Sequence, residues 1–185
     1  MLVKIVDQIP DEMQKAAWDL YQGAFEDLRA LAVQRHLMYR SEFDEVMNDP
    51  RIDKYLCLDD GGRLCGLSTF TNDLPAVPLI APEYFERRWP DLYLQNKIWY
   101  VGFTAVGTDA RDTRAFAELV EAMHRTAYDR NGMIAIDYCR FNDDERNFGK
   151  VVRLMLRRLS GGPIRSECMD QQSFWIYEFP TAAAA

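Results

Sequence analysis

The sequence predicts a single α/β domain, in which a mixed sheet of about seven strands has a central parallel pair and about four helices. Apolar residues from Met13 to Leu28 recur in steps of three and one, which is the spacing of one helix face. Two short apolar runs flank Asp59-Asp60-Gly61-Gly62, a turn sequence typical of an antiparallel hairpin. Farther along, the order strand, helix, strand requires a parallel pair joined by a right-handed crossover.

Seven segments have the apolar or alternating pattern of a strand, and turn residues or prolines separate them. The fourth and fifth lack a clean alternation, so we expect both of their faces to be buried. The seven segments are Leu2–Ile9, Lys54–Leu58, Leu64–Thr71, Lys97–Val106, Met133–Cys139, Ser166–Met169 and Ser173–Phe179.

Four segments have the apolar period of an amphipathic helix. They begin at Asp11, Ser41, Ala115 and Asn147. Gly132 ends the third of them, as glycine often does at a helix C-terminus. Residues 1–181 make up the predicted domain. Residues 182–185 are all alanine and resemble a cloning remnant.

The composition of residues 72–96 predicts an irregular loop, which is long for a connection within one domain. Its prolines favour an irregular path, while its aromatic residues argue against disorder. We expect it to cover one side of a binding site, with Phe85, Trp89 and Tyr93 packed inward.

Composition narrows the classes of function. The chain has 22 basic and 29 acidic residues, and a net charge of −7 disfavours non-specific binding to nucleic acid. It has neither an 18-residue apolar run nor the pattern of a signal peptide, so we expect a cytoplasmic protein without membrane contact. Its four cysteines and two histidines lack the spacing of a zinc site, which predicts four free thiols and no metal.

The central strand, loop and helix resemble the GNAT superfamily of N-acyltransferases. In that family the strand ends in a valine, and an arginine or glutamine follows that leads through a glycine-rich turn into the helix. Val106 and Arg111 match this pattern here. Arg114 and Phe116 stand where the family has glycines, and their side chains would crowd a pyrophosphate at the helix N-terminus.

One branch of the superfamily shares these departures. Acyl-homoserine-lactone synthases and N-acyl amino-acid synthases lack the glycine motif and take their acyl group from acyl carrier protein. Residues 72–96 and the aromatic strand Trp99–Val106 are similar to features of that branch. The resemblance therefore implies either acyl-CoA or acyl-phosphopantetheine as the donor.

The resemblance also implies which residues hold the donor and what it reacts with. A pantetheine arm would lie along the open edge of the central strand, and its phosphates would lie at the following helix. The acceptor would be the amine of a small molecule or amino acid. Carrier protein is a further potential partner, and the oligomeric state, dimer included, stays open. The implied donor-binding residues are Gly102, Thr104, Ala105, Val106, Arg111, Thr113, Arg114 and Asn147.

Catalytic candidates are Tyr100, Glu83 and Tyr138, either as a base for the amine or as an acid for the departing thiolate. The tyrosine that often protonates the thiolate in the family is absent from the last helix, so Tyr100 or Tyr138 would replace it. Asp137 is a further base, with a structural ion pair as its alternative. Gly102 predicts either a bulge that offers an oxyanion contact or a packing glycine. The alternative function is a binding protein that keeps the fold without catalysis.

Overall fold

The structure, a computed structural model, describes residues 1–107 and 114–179. Its strands form a single sheet in the order β1-β2-β3-β4-β5, antiparallel from β1 to β4 and parallel between β4 and β5. The predicted mixed sheet and its parallel pair are confirmed. The strands are Leu2–Val6 (β1), Asp53–Leu58 (β2), Leu64–Thr71 (β3), Ile98–Val106 (β4) and Met133–Ile136 (β5).

The described residues contain eight α-helical segments, more than the four predicted. Two of the four additional short helices lie in residues 72–96, where Pro82 and Pro90 occupy their first turns. In the part of the chain that the structure describes, no helix is long and apolar enough to cross a membrane. The helices are Asp11–Phe25 (α1), Leu28–Leu31 (α2), Arg40–Asn48 (α3), Pro82–Arg88 (α4), Pro90–Leu94 (α5), Ala115–Tyr128 (α6), Arg140–Asp144 (α7) and Phe148–Leu159 (α8).

The two final predicted strands, 166–169 and 173–179, are wrong for this structure. Residues 163–179 have no regular secondary structure, so the sheet has five strands instead of seven. The aromatic and β-branched residues of 173–179 favour a strand, but a strand forms only where a neighbouring edge pairs with it. The predicted remnant at 182–185 lies outside the described residues.

Strand β4 lies at the centre of the core. Helix α1 packs on one face of the sheet, where Tyr21 and Phe43 contact Phe103. Helix α6 packs on the other face, against a cluster that contains Trp99 and Phe70. Both faces of β4 are therefore buried, as its continuous apolar sequence predicts. Phe85 is buried in a third cluster that Trp89 and Tyr93 flank, so the inward packing predicted for these aromatic residues is confirmed.

One charged side chain is fully buried in the sheet. Lys54 on β2 donates to the carbonyl oxygens of Asp7 and Asp49 at 2.7 and 2.6 Å. Burial lowers the pKa of this amine to about 8, because the charged form loses its hydration. Between about pH 8 and the ordinary lysine pKa, Lys54 is therefore protonated less often in the folded chain than in the unfolded chain.

We predict that the free energy of unfolding rises between pH 7 and pH 10 by about 1–3 kcal/mol through Lys54. Stability increases with pH here because the unfolded state is the one that retains the proton. Urea titrations at several pH values measure this rise, which should be absent in Lys54→Met. An equal rise in both proteins would contradict the assignment.

Candidate active site

Strands β4 and β5 stop pairing after Val101 and Ile136, and the opening beyond these two residues is called the slot here. The parallel register runs from Ile98 opposite Met133 to Val101 opposite Ile136. Strand β4 continues to Val106, and among the described residues this continuation pairs with β3 alone. The last five residues of β4, from Gly102 to Val106, therefore have one free edge, which is the place where an extended ligand can add to a sheet.

Gly102 is a β-bulge at the mouth of this slot. Val101 pairs with Phe70 and Phe103 pairs with Thr69, so Gly102 has no partner on β3. The Phe103 N–H donates to Thr69 Oγ1 at 3.2 Å. A Cβ at position 102 would lie 2.6 Å from that oxygen, so the close approach itself requires glycine.

Backbone alternation determines which groups face the free edge. The Gly107 N–H donates to the Cys65 carbonyl at 3.0 Å, so Gly107 directs its backbone groups toward β3. Ala105 shares that direction, because residues two apart on a strand point the same way. Thr104 and Val106 then direct their N–H and C=O groups toward the slot. Ala105 is also a predicted donor-binding residue, but its backbone groups face β3 and not the slot.

Tyr100 and Asp137 meet where the two strands diverge. The buried Tyr100 hydroxyl donates to Asp137 Oδ1 at 2.6 Å. Burial and this hydrogen bond raise the pKa of Tyr100, so the phenol keeps its proton at neutral pH. Asp137 lies one residue beyond β5 and is exposed, whereas the sequence predicts it inside a buried strand. Its partner is a tyrosine and not a cation.

His36 lies in the loop between α2 and α3 and is electrostatically coupled to Asp137. Burial lowers the pKa of this histidine, and the Asp137 carboxylate acts in the opposite direction. Its carbonyl accepts a hydrogen bond from Tyr21, whose oxygen in turn accepts the Met38 N–H. The loop is thereby anchored to the core beside the slot.

Aromatic side chains fill the space between the N-terminal ends of α6 and α8. The ring centroids of Phe116 and Phe148 are 5.7 Å apart, and those of Phe148 and Tyr138 are 5.2 Å apart. Burial raises the pKa of Tyr138. Its hydroxyl lies so close to Gly149 that a Cβ there would be 2.2 Å away. Phe116 and Phe148 also line an apolar cavity of about 50 Å³.

The remaining predicted site residues are dispersed. Glu83 is exposed in the first turn of α4 and has no contact with the Tyr100–Asp137 pair among the described residues. Arg114 is exposed and pairs with Glu118 on its own helix at 3.1 Å. Asn147 precedes α8 with a left-handed φ of 52° and caps no backbone N–H. Arg111 and Thr113 lie outside the described residues.

A larger cavity of about 420 Å³ lies at the opposite end of β4. Residues 72–75, Tyr93, Asn96 and Ile98 line it. None of the predicted donor or catalytic residues contributes to this lining. It is therefore separate from the slot at the bulge.

No family model and no curated protein matches the chain. Several solved structures do match it. A probable acetyltransferase matches with a TM-score of 0.53 at 16% identity, over 100% of both chains. A GNAT family acetyltransferase from Listeria monocytogenes matches with a TM-score of 0.53 at 11% identity, over 82% of this chain and 84% of the other. The chain has the GNAT fold.

A third structure extends the GNAT comparison. The ribosomal-protein-alanine N-acetyltransferase from Brucella melitensis biovar Abortus 2308 matches with a TM-score of 0.52 at 15% identity, over 95% of this chain and 99% of the other. At these identities the likeness establishes the fold alone. The predicted fold class is confirmed, and the closer similarity to acyl-homoserine-lactone synthases stays a prediction.

Proposed function

We propose that the protein is an N-acyltransferase, which moves an acyl group from a thioester to the amine of a small molecule or amino acid. The observation that carries the proposal is the juxtaposition of three features within the GNAT fold. A bulge at Gly102, a free edge of β4 and the Tyr100–Asp137 pair lie together where β4 and β5 diverge. Acyl transfer to an amine requires an oxyanion contact, a place for the thioester arm and a proton acceptor.

The donor would be an acyl-phosphopantetheine arm, carried either by CoA or by a protein. Its amides would bond to the backbone groups of Thr104 and Val106 along the free edge, in the manner of an added strand. The thioester oxygen would then accept a hydrogen bond from the backbone at the Gly102 bulge. Negative charge develops on that oxygen in the transition state, so this contact strengthens as the reaction proceeds.

Asp137 would accept the proton of the acceptor amine. The amine nitrogen attacks the thioester carbon, the C–N bond forms and the C–S bond breaks. The departing thiolate takes a proton from a nearby acid, for which Tyr138 is the candidate. Tyr100 would position the Asp137 carboxylate through its 2.6 Å hydrogen bond, since a phenol with a raised pKa retains its own proton.

The nucleotide half of CoA would add little to binding. Phe116 and Phe148 occupy the approach to the N-terminus of α6, and Arg114 is engaged by Glu118. We propose carrier protein as a donor for the same reason, and its docking here would require acidic residues on its surface. Helix α8 exposes four basic side chains that have no ion pair within residues 1–107 and 114–179. They are Lys150, Arg153, Arg157 and Arg158.

The aromatic side chains between α6 and α8, Phe116, Phe148 and Tyr138, also favour a second candidate function. This is a GNAT-fold binding protein without catalysis. An assay of thiol release separates the two functions. Acetyl-CoA, acetyl-pantetheine and an acylated carrier protein are each incubated with a panel of amines and amino acids. Amine-dependent release of thiol, with an acylated amine found by mass spectrometry, supports the transferase. Donor binding without product from any amine supports the binding protein.

We predict that acetyl-CoA binds the wild-type chain no more tightly than acetyl-pantetheine. The double variant Arg114→Gly, Phe116→Gly should bind acetyl-CoA about tenfold more tightly, because it frees backbone N–H groups at the helix N-terminus for the pyrophosphate. Calorimetric titration measures both. Arg125→Gly, which removes a comparable ion pair with Glu121, is the control and should change nothing. Tight acetyl-CoA binding that Arg114→Ala abolishes would instead make Arg114 a phosphate ligand.

A further inference from the structure

The larger cavity, of about 420 Å³, is not used by the proposed acyl transfer. Its volume lies within the range of pockets that bind small molecules. It lies beside Ile98 at the start of β4, and Gly102 is four residues farther along that strand, about 13 Å away. A molecule bound in this cavity would therefore lie apart from the slot.

Hydrogen bonds hold the walls of this cavity together. Asn72 Nδ2 donates to the Asn96 carbonyl at 2.7 Å, which joins the two ends of the segment that lines the cavity. The Asp73 N–H donates to Thr71 Oγ1 at 3.0 Å, and the Thr71 hydroxyl donates to the Arg51 carbonyl at 2.7 Å. The walls are therefore fixed in place without a ligand, as is usual for small-molecule sites.

Asp73 gives the lining a negative charge. Within residues 1–107 and 114–179, its carboxylate has no hydrogen bond and no ion pair. Arg51 is electrostatically coupled to Asp73, but Asp49 holds the Arg51 guanidinium at 2.6 Å. Asp73 is half-buried, so solvent screens its charge less than it screens a charge on the open surface. The cavity therefore favours a positively charged ligand.

The other polar groups of the lining include further hydrogen-bond acceptors. Asn72 donates its side-chain amide to the Asn96 carbonyl, and its Oδ1 has no partner in the part of the chain that the structure describes. Tyr93 adds a hydroxyl and an aromatic ring, and such a ring attracts a cation that lies over its face. The apolar members of the lining are Leu74, Pro75 and Ile98.

We propose that this cavity is a second ligand site, which binds a small organic ammonium ion. The ammonium group would donate to Asp73 and to Asn72 Oδ1, and its hydrocarbon chain would pack against Leu74 and Ile98. A carboxylate on the same ligand would find no partner, because Arg51 is already paired. A metal ion fits less well, since the described residues contain no group of three or more acidic, histidine or cysteine side chains that could hold one. This inference is independent of the proposed acyl transfer.

Titration of ¹⁵N-labelled protein with n-butylammonium, n-butanol and butanoate tests the site. Butylammonium should shift the backbone amides of Asn72, Asp73 and Asn96 and saturate. Its dissociation constant should be at least about tenfold below that of butanol, because a hydrogen bond to a charged group adds to the apolar contact. Butanoate should shift none of these amides. Butylammonium that binds no more tightly than butanol, or that shifts only Gly102 and Asp137 at the slot, would overturn the proposal.

Asp73→Asn tests the role of the charge. It keeps the size of the side chain and both backbone hydrogen bonds of this residue, so it should fold like the wild type. It should weaken butylammonium binding by at least about tenfold and leave butanol binding unchanged. Asp91→Asn is the matched control, since it removes an exposed carboxylate from the same segment outside the lining. Unchanged affinity in Asp73→Asn, or equal loss in both variants, would contradict the proposed site.

Magnesium and calcium ions separate an ammonium site from a metal site. Neither ion should reproduce the shifts of Asn72, Asp73 and Asn96 at the concentration at which butylammonium saturates them. If either ion shifts the same amides with higher affinity, the cavity is a metal site and the proposal is wrong.

Discussion

Asp137→Asn should reduce the rate constant for acyl transfer by about 10²–10⁴-fold, because an amide cannot accept the proton of the acceptor amine. The side chain keeps its shape, and the Tyr100 hydroxyl can still donate to the remaining carbonyl oxygen. Donor binding should therefore stay unchanged. Steady-state kinetics of thiol release, together with calorimetric binding of the donor, separate the two effects.

Glu83→Gln is the matched control, since it removes a carboxylate that is exposed on α4 and has no contact with Asp137 among the described residues. It should leave the rate constant unchanged. Tyr100→Phe should give an intermediate loss, because the Asp137 carboxylate remains but loses the group that positions it. An unchanged rate in Asp137→Asn would exclude this carboxylate as the base.

Gly132→Ala should destabilise the fold by about 3 kcal/mol or more, since overpacking a rigid core is costly. A Cβ at this position would lie 2.2 Å from Trp99 Cζ3 and 2.7 Å from the Lys97 carbonyl oxygen. Trp99 is fully buried between the sheet and α6, so its ring has no room to retreat. Urea unfolding measures the loss as a lower midpoint at unchanged slope.

Gly23→Ala is the informative counterpart. Gly23 is an exposed glycine inside α1, and a Cβ there would meet no atom within 4 Å. This change should stabilise the protein by about 0.5–1 kcal/mol, because alanine is the better helix residue. Equal effects of the two alanines would show that close packing does not distinguish these positions.

The sequence predicts those parts of the fold that depend on local pattern. The apolar period of α1, the hairpin turn and the succession β4, α6, β5 are all found in the structure. The bulge at Gly102 is also found, because a glycine within an apolar strand often marks one. Its contact with Thr69 is not predictable, since register between strands is a property of the pair.

Contacts between distant segments lie beyond the sequence pattern. His36 and Asp137 are about a hundred residues apart in the chain, and only the folding of the α2–α3 loop onto Tyr21 brings them into electrostatic range. Gly132 looks like a helix terminator, yet Asn131 takes the left-handed conformation and Gly132 accommodates Trp99. Residues 173–179 have the propensity of a strand, but no strand among the described residues pairs with them.

The central proposal is that an acyl thioester arm lies along the free edge of β4. Titration of ¹⁵N-labelled protein with acetyl-pantetheine, followed by backbone amide chemical shifts, tests it most directly. The amides of Gly102, Thr104 and Val106 should shift together and saturate, and Asp137 should shift with them. Shifts confined to Asn72 and the other residues of the larger cavity, or no shift at millimolar ligand, would contradict the proposed donor site.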